Sequence, residues 1–213
     1  MKSLSLSQPL VLMMIGVPGA GKSFFARQFA ETFSAPLVSM DKLRITISPQ
    51  TTYTRDEDIV VLELMKQQIT EFIKTKKTFI IDGGLNTRVD RVAIQRFAQE
   101  AGYGTLIIWV QTDDPTCKLR AMRRKERNRF DAYNTSLSSE QFVSLSKRLT
   151  PPNAQEPFVV ISGKHTYPTQ AKVILKKLVA PRAEAAASTP ISSTTTPQNH
   201  ETTPPTRRSI SIN

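Results

Sequence analysis

The chain is 213 residues long and carries a formal net charge of +11, from 29 Lys and Arg against 18 Asp and Glu. That length accommodates one domain, or one domain with a tail. With one Cys and two His there is neither an intrachain disulfide nor a Cys/His zinc cluster, and no apolar run approaches the roughly 20 residues needed to cross a bilayer.

The chain opens on Leu10 to Ile15, an apolar run of the kind a buried parallel strand presents on both faces. A glycine-rich turn follows, and then Phe25, Phe29 and Phe33 recur at helical spacing. Leu37 to Ser39 predicts a short second strand. Ile59, Leu62, Met65, Ile69 and Phe72 predict the core-facing stripe of a long helix, and Thr78 to Ile81 a third strand. Val89, Val92, Ala93, Phe97 and Ala101 predict another core-facing stripe, before a fourth strand at Leu106 to Val110. Residues 118 to 129 hold seven Lys or Arg and one Glu, so +6 of the net charge sits in one segment. Ser138 with Gln141 forms a capping-box pattern, Phe158 to Ile161 predict a fifth strand, and Pro168 suits the start of a last helix through Leu178. Strands alternating with helices are the signature of an α/β fold.

From residue 181 onward the composition changes. Among 33 residues stand seven Thr, five Ser and five Pro, with no aromatic residue, which predicts a disordered tail over 181–213. Residues 1–180 form the predicted folded domain. Met1 and Lys2 ahead of an apolar run imitate a secretory signal. Cleavage there would remove the one motif with clear chemical meaning, so a cytoplasmic protein is expected.

That motif is Gly16-Val17-Pro18-Gly19-Ala20-Gly21-Lys22-Ser23, which satisfies G-x-x-x-x-G-K-[ST] between a strand and a helix. Triphosphate oxygens need closely spaced donors, and a backbone nearly free of side chains wraps its N–H groups around them. The helix N-terminus adds a favourable dipole. The expected nucleotide contacts are Gly16, Val17, Pro18, Gly19, Ala20, Gly21, Lys22, Ser23 and Phe24. Lys22 is expected at the β and γ phosphates and Ser23 on Mg²⁺. Nothing resembles a guanine-reading N-K-x-D element, so ATP is preferred over GTP. The third strand leads into Asp82, placed to support Mg²⁺ from the end of the sheet; its alternative role is a turn former ahead of Gly83 and Gly84. A Glu after Asp82 would suggest a motor ATPase, and it is missing.

Phosphoryl transfer to an alcohol needs a proton acceptor and a group that holds the acceptor in line. After the second strand, Asp41 is the candidate base and Arg44, at i+3, the candidate anchor for an anionic substrate. The alternative is that Asp41 caps a helix and pairs with Arg44. Within the basic segment, Arg120, Arg123 and Arg127 share one helical face, as do Arg120, Arg124 and Arg127. Such a stripe suits a lid, spanning about 115–150, that closes on phosphates; a solvated or RNA-contacting face is the alternative.

These motifs resemble the small P-loop kinases typified by the kinase domain of polynucleotide 5′-hydroxyl kinase, with zeta-toxin among the relatives. The resemblance covers roughly residues 10 to 178. It implies a P-loop NTPase three-layer sandwich, with a five-stranded parallel sheet ordered 2-3-1-4-5 and a helical lid. It further implies ATP with Mg²⁺, Asp41 as general base, Arg44 on an acceptor phosphate, and Arg120, Arg123 or Arg127 on the donor phosphates. Where many relatives read Asp-x-Thr-Asn, this chain reads Asp82-Gly83-Gly84-Leu85-Asn86, which moves a polar contact near the acceptor.

The function expected is therefore an ATP-dependent kinase acting on a hydroxyl, either a polynucleotide 5′ end or a phosphorylated small molecule. The rivals are a zeta-toxin-like sugar-nucleotide kinase and an ATP-binding switch or adaptor without phosphotransfer. No membrane partner is expected, and the oligomeric state is left open.

Overall fold

Five parallel strands pair in the order β2-β3-β1-β4-β5, where β1 is Leu10–Ile15, β2 Leu37–Ser39, β3 Phe79–Asp82, β4 Gly104–Gln111 and β5 Phe158–Ser162. This is the order implied by the resemblance. The computed structural model describes residues 8–48, 54–124 and 135–179, all within the unit Met1–Ala180. Arg127 and the segment 181–213 lie outside the described residues.

Seven helices complete the described fold: α1 Lys22–Phe33, α2 Met40–Ile47, α3 Arg55–Lys74, α4 Arg88–Glu100, α5 Asp114–Met122, α6 Ser139–Lys147 and α7 Tyr167–Val179. Every residue of β1 is buried, and alternate residues serve opposite cores. Leu10, Leu12 and Met14 meet Phe25, Phe29, Cys117, Phe142 and Ile174 on one side of the sheet. Val11, Met13 and Ile15 meet Leu43, Val61, Met65, Ile69, Ile94 and Ala98 on the other. The result is a three-layer sandwich. The predicted phenylalanine stripe of α1 is present, with Phe25 and Phe29 rings 5.5 Å apart and Phe29 and Phe33 rings 4.5 Å apart. The capping box of Ser138 and Gln141 is also formed.

Helix α3 keeps most of its predicted stripe, with Met65 and Ile69 buried and Leu62 and Phe72 packed against the same core, whereas α4 is turned away from its own. In α3 the buried residues are Val61, Met65 and Ile69, whereas Ile59 is 57% exposed. The first turn of α3 presents Glu57 to the buried Arg44, and Val61, Met65 and Ile69 follow Glu57 at four-residue steps. In α4 the buried face is Arg91, Ile94 and Ala98, while Val89 is 78% exposed and Phe97 is exposed as well. The cause is a salt bridge no periodicity reveals. Arg91 is fully buried, with Nε 2.7 Å from Glu156 Oε1 and Nη2 3.1 Å from Oε2. Its Nη1 donates to the carbonyls of Leu85, Asn86 and Thr150. A buried guanidinium needs such partners, and α4 is oriented to supply them.

Strand β3 spans Phe79–Asp82, one residue beyond the apolar run from Thr78 to Ile81, and the Thr78 hydroxyl accepts from Leu10 N at the strand's entrance. Helix α5 ends at Met122 with Arg123 as its C-cap. Of the predicted face of Arg120, Arg123 and Arg127, Arg120 lies in α5, Arg123 is its C-cap and Arg127 lies outside the described residues.

Candidate active site

Parallel pairing aligns the carboxyl ends of the strands, with Met14 and Ser39 both opposite Asp82, and Gln111 opposite Ser162. The loops that leave these ends meet at one edge, where open α/β sheets hold ligands.

The loop after β1 is built by glycine. Gly16, Gly19 and Gly21 have φ of 143°, 78° and 107°. A Cβ on Gly16 would lie 2.5 Å from Val110 O, and one on Gly19 only 2.2 Å from Cys117 O. Ala20 N donates to Val17 O at 3.2 Å, closing the turn. Gly21 is the N-cap of α1 and supplies no side chain to the helix's first N–H groups. The first turn of α1 also holds no acidic residue. These donors and the dipole behind them face an anion site.

Lys22 Nζ donates to Gly16 O at 2.8 Å and Val17 O at 3.0 Å, so its ammonium is drawn across the loop. Burial lowers its pKa, against the attraction of Asp82 and Asp41. Asp82 is buried at the end of β3. Burial raises its pKa, partly offset by the hydrogen bond it accepts from the Ser23 hydroxyl. A buried carboxylate beside a hydroxyl at the mouth of a phosphate loop suits Mg²⁺, which takes one or two protein oxygens and keeps waters and phosphates for the rest. Among the described residues there is no group of three or more His, Cys, Asp or Glu that would form an all-protein cage.

Two cavities open from this centre. The larger, about 670 Å³, runs past Gly19, Gly21, Ser23 and Phe24 to Arg120, Arg123, Gly163, Lys164 and His165. The smaller, about 240 Å³, is lined by Pro18, Met40, Asp41, Arg44, Gly83, Gly84, Asn86, Thr87 and Asp90, among others. Lys22 and Arg124 line both.

Asp41 and Arg44 are brought to the smaller cavity but do not act as a local pair. The N-cap of α2 is Ser39, whose hydroxyl accepts from Lys42 N at 3.3 Å. Arg44 is buried, with Nη1 2.8 Å from Glu57 and Nη2 2.6 Å from Asp58. Those two carboxylates raise its pKa against burial, the largest effect, which lowers it.

Several site residues escape sequence reasoning. Arg124 was one of several interchangeable arginines, and its place between the cavities follows from the helix end at Met122. Gly163 packs on the phosphate loop so closely that a Cβ there would lie 1.9 Å from Ala20 O. Gly163 O accepts from Arg120 at 3.2 Å, and the Thr112 hydroxyl donates to Ala20 O at 3.0 Å. The only available signal was a Ser-Gly-Lys turn after the fifth strand. Asn86, the displaced polar residue after β3, donates to Gly16 O and lines the smaller cavity.

The architecture recurs in solved structures. A sugar kinase from Janibacter sp. HTCC2649 is 16% identical, with a TM-score of 0.59 over 80% of this chain and 94% of that one. The APS kinase of Mycobacterium tuberculosis, solved with AMPPNP and APS, is 14% identical, with a TM-score of 0.57 over 80% and 98%. Kti12 of Chaetomium thermophilum, solved with ADP-AlF3, is 17% identical, with a TM-score of 0.59 over 80% and 99%. At these identities the likeness establishes the fold. No curated protein matches the sequence. Among the described residues, no helix is long and apolar enough to cross a membrane. The sequence profile of the AAA domain family matches residues 11–152, which include the phosphate loop, Asp41, Asp82 and Arg124, and the chain belongs to that family.

Proposed function

We infer that the protein is an ATP-dependent phosphotransferase that moves the γ-phosphoryl group from a nucleotide in the larger cavity to a hydroxyl in the smaller one. The observation that carries this reading is that Lys22 and Arg124 line both cavities. A group in transit between two sites needs its charge stabilised where they meet, and two cations stand there.

In this reading the glycine loop and Lys22 bind the β and γ phosphates, with Phe24, Arg120 and Arg123 along the rest of the nucleotide. Ser23 and Asp82 would hold Mg²⁺, which would offset the charge of the phosphates. Asp41 accepts the proton of the attacking hydroxyl, as the resemblance to polynucleotide 5′-hydroxyl kinases implies; its charge is felt by both Lys22 and Asp82. Arg124 stabilises the peripheral oxygens of the transferring group. The catalytic unit is residues 1–180, with the Ser/Thr/Pro-rich segment 181–213 as an appendage. A cytoplasmic setting, where a single thiol stays reduced, belongs to the same reading.

The test separates binding from chemistry. Asp41→Asn should leave MgATP affinity within a few-fold by calorimetry while lowering transfer from γ-labelled ATP by about 10² to 10⁴, the range for loss of a general base. Transfer retained in that variant removes Asp41 from the role. Nucleotide binding without transfer to any hydroxyl compound would instead favour a switch or adaptor.

A further inference from the structure

The smaller cavity has walls from which the chemistry of its occupant can be read. At about 240 Å³ it holds roughly eight water molecules' share of liquid volume, which admits a small molecule. Its lining includes the apolar side chains of Met40, Leu62, Leu137 and Leu145. The same lining includes Asp41 and the pair Thr87 and Asp90. The Thr87 hydroxyl donates to Asp90 Oδ2 and accepts from Asp90 N, which fixes that carboxylate at the first turn of α4.

The cations that reach this cavity are already engaged. Arg44 is clamped between Glu57 and Asp58, and both carboxylates come from the first turn of α3. A phosphate seeking Arg44 would have to lie against those two anions. Lys22 and Arg124 also face the nucleotide cavity, where a triphosphate claims them. Arg148 stands at the rim, 54% exposed and 3.7 Å from Asp58. Among the described residues, what remains inside the cavity for an acceptor, apart from Arg148 at the rim, is the carboxylates of Asp41 and Asp90. Ionised carboxylates only accept hydrogen bonds, and they repel a neighbouring anion.

We propose that the acceptor is a small, uncharged polyhydroxy compound, with one hydroxyl on Asp41, another on Asp90, and its C–H face on Met40, Leu62 and Leu137. This rests on the phosphotransferase reading above and specifies its substrate class. In the transfer, the acceptor oxygen forms a bond to the γ phosphorus as its O–H proton passes to Asp41. The bond between that phosphorus and the β–γ bridging oxygen breaks, and ADP leaves with the electron pair. Arg44 is thereby a positioning residue that ties α2 to α3, in contrast to the phosphate anchor implied by the resemblance.

The experiment measures ADP release by the full chain with MgATP and three sets of probes: neutral hexoses, pentitols and inositols; their monophosphate esters; and oligonucleotides with a 5′-hydroxyl. The expected result is a kcat/KM for the best neutral compound at least tenfold above that for its monophosphate, and no oligonucleotide turnover. Preference for a monophosphate or an oligonucleotide overturns the proposal while leaving phosphotransfer standing. Bound nucleotide with no turnover of any probe overturns the phosphotransferase reading and this proposal with it. Asp90→Asn should raise KM for the neutral acceptor about tenfold, the scale of one hydrogen bond to a charged group, with KM for ATP unmoved. A variant that only lowers Tm and leaves acceptor KM unchanged would reduce Asp90 to a helix cap and remove it from the acceptor site.

Discussion

The side-chain amide of Asn86 clasps the backbone of Gly16 from both sides: Oδ1 accepts from Gly16 N at 3.2 Å and Nδ2 donates to Gly16 O at 3.3 Å. Gly16 O is also the carbonyl to which Lys22 donates. A residue after β3 thus holds the first glycine of the phosphate loop, and its own carbonyl is held by Arg91 Nη1 at 3.1 Å and Thr150 N at 2.9 Å. Asn86→Ala should cost about 1–3 kcal/mol in stability, for two partly buried hydrogen bonds, and should weaken MgATP binding. Thermal melts and calorimetry on one preparation check both effects, and an unchanged ATP Kd would show that the loop holds its shape without the clasp.

Glycines 19 and 102 separate steric crowding from backbone strain. Their φ values are 78° and 77°, but a Cβ on Gly19 would meet Cys117 O at 2.2 Å, whereas one on Gly102 meets nothing within 4 Å. Gly102→Ala should cost about 1–2 kcal/mol, the penalty of a left-handed non-glycine residue. Gly19→Ala should add to that cost the displacement of α5 from the phosphate loop and abolish nucleotide binding. Denaturation midpoints with a nucleotide titration decide between them; equal behaviour would contradict the packing described.

Arg120 and Arg124 should fail in different ways. Arg120 lines only the nucleotide cavity of the two and donates to Gly163 O, so Arg120→Ala should act mainly on KM for ATP. Arg124 lines both cavities, and Arg124→Ala should lower kcat, by up to the 10³ to 10⁵ known for arginines that stabilise transferring phosphoryl groups. Steady-state kinetics with ATP varied would reveal the split.

The acid limb of stability should carry the signature of Glu156. Hydrogen bonding from Arg91 holds its carboxyl below the usual range, against the opposing effect of burial. Below the unfolded pKa of about 4.3 the unfolded chain binds the proton first, so stability falls as pH drops towards the folded value. The pair's contribution is full at neutral pH and lost in acid. Glu156→Gln should lower Tm at pH 7 and flatten its dependence between about pH 4.3 and more acidic values, as pH-resolved melts would record. An unchanged slope would assign the acid sensitivity to another carboxylate.

The phosphate loop was legible because its chemistry is local: three glycines, a lysine and a serine between a strand and a helix have few other uses. The strands were legible from their apolar runs, but their order came through the resemblance, since no periodicity says which strand lies beside which. The exposed start of the α3 stripe at Ile59 and the different face of α4 share one reason. Both helices bury part of a salt bridge, Glu57 with Arg44 and Arg91 with Glu156, and a charged residue at an inward position looks like a solvent position until its partner is seen. Those partners are 13 and 65 residues away. The convergence of Arg124 on both cavities was equally hidden, because it depends on where α5 stops.

The contact between Gly19 and Cys117 also says which end of α5 is fixed. Cys117 sits in the first half of α5 with its carbonyl against the loop and its thiol donating to Thr112 O at 3.5 Å, so that end of the helix is masonry. Arg120, one turn further along the same helix and bonded to Gly163 O, belongs to the frame.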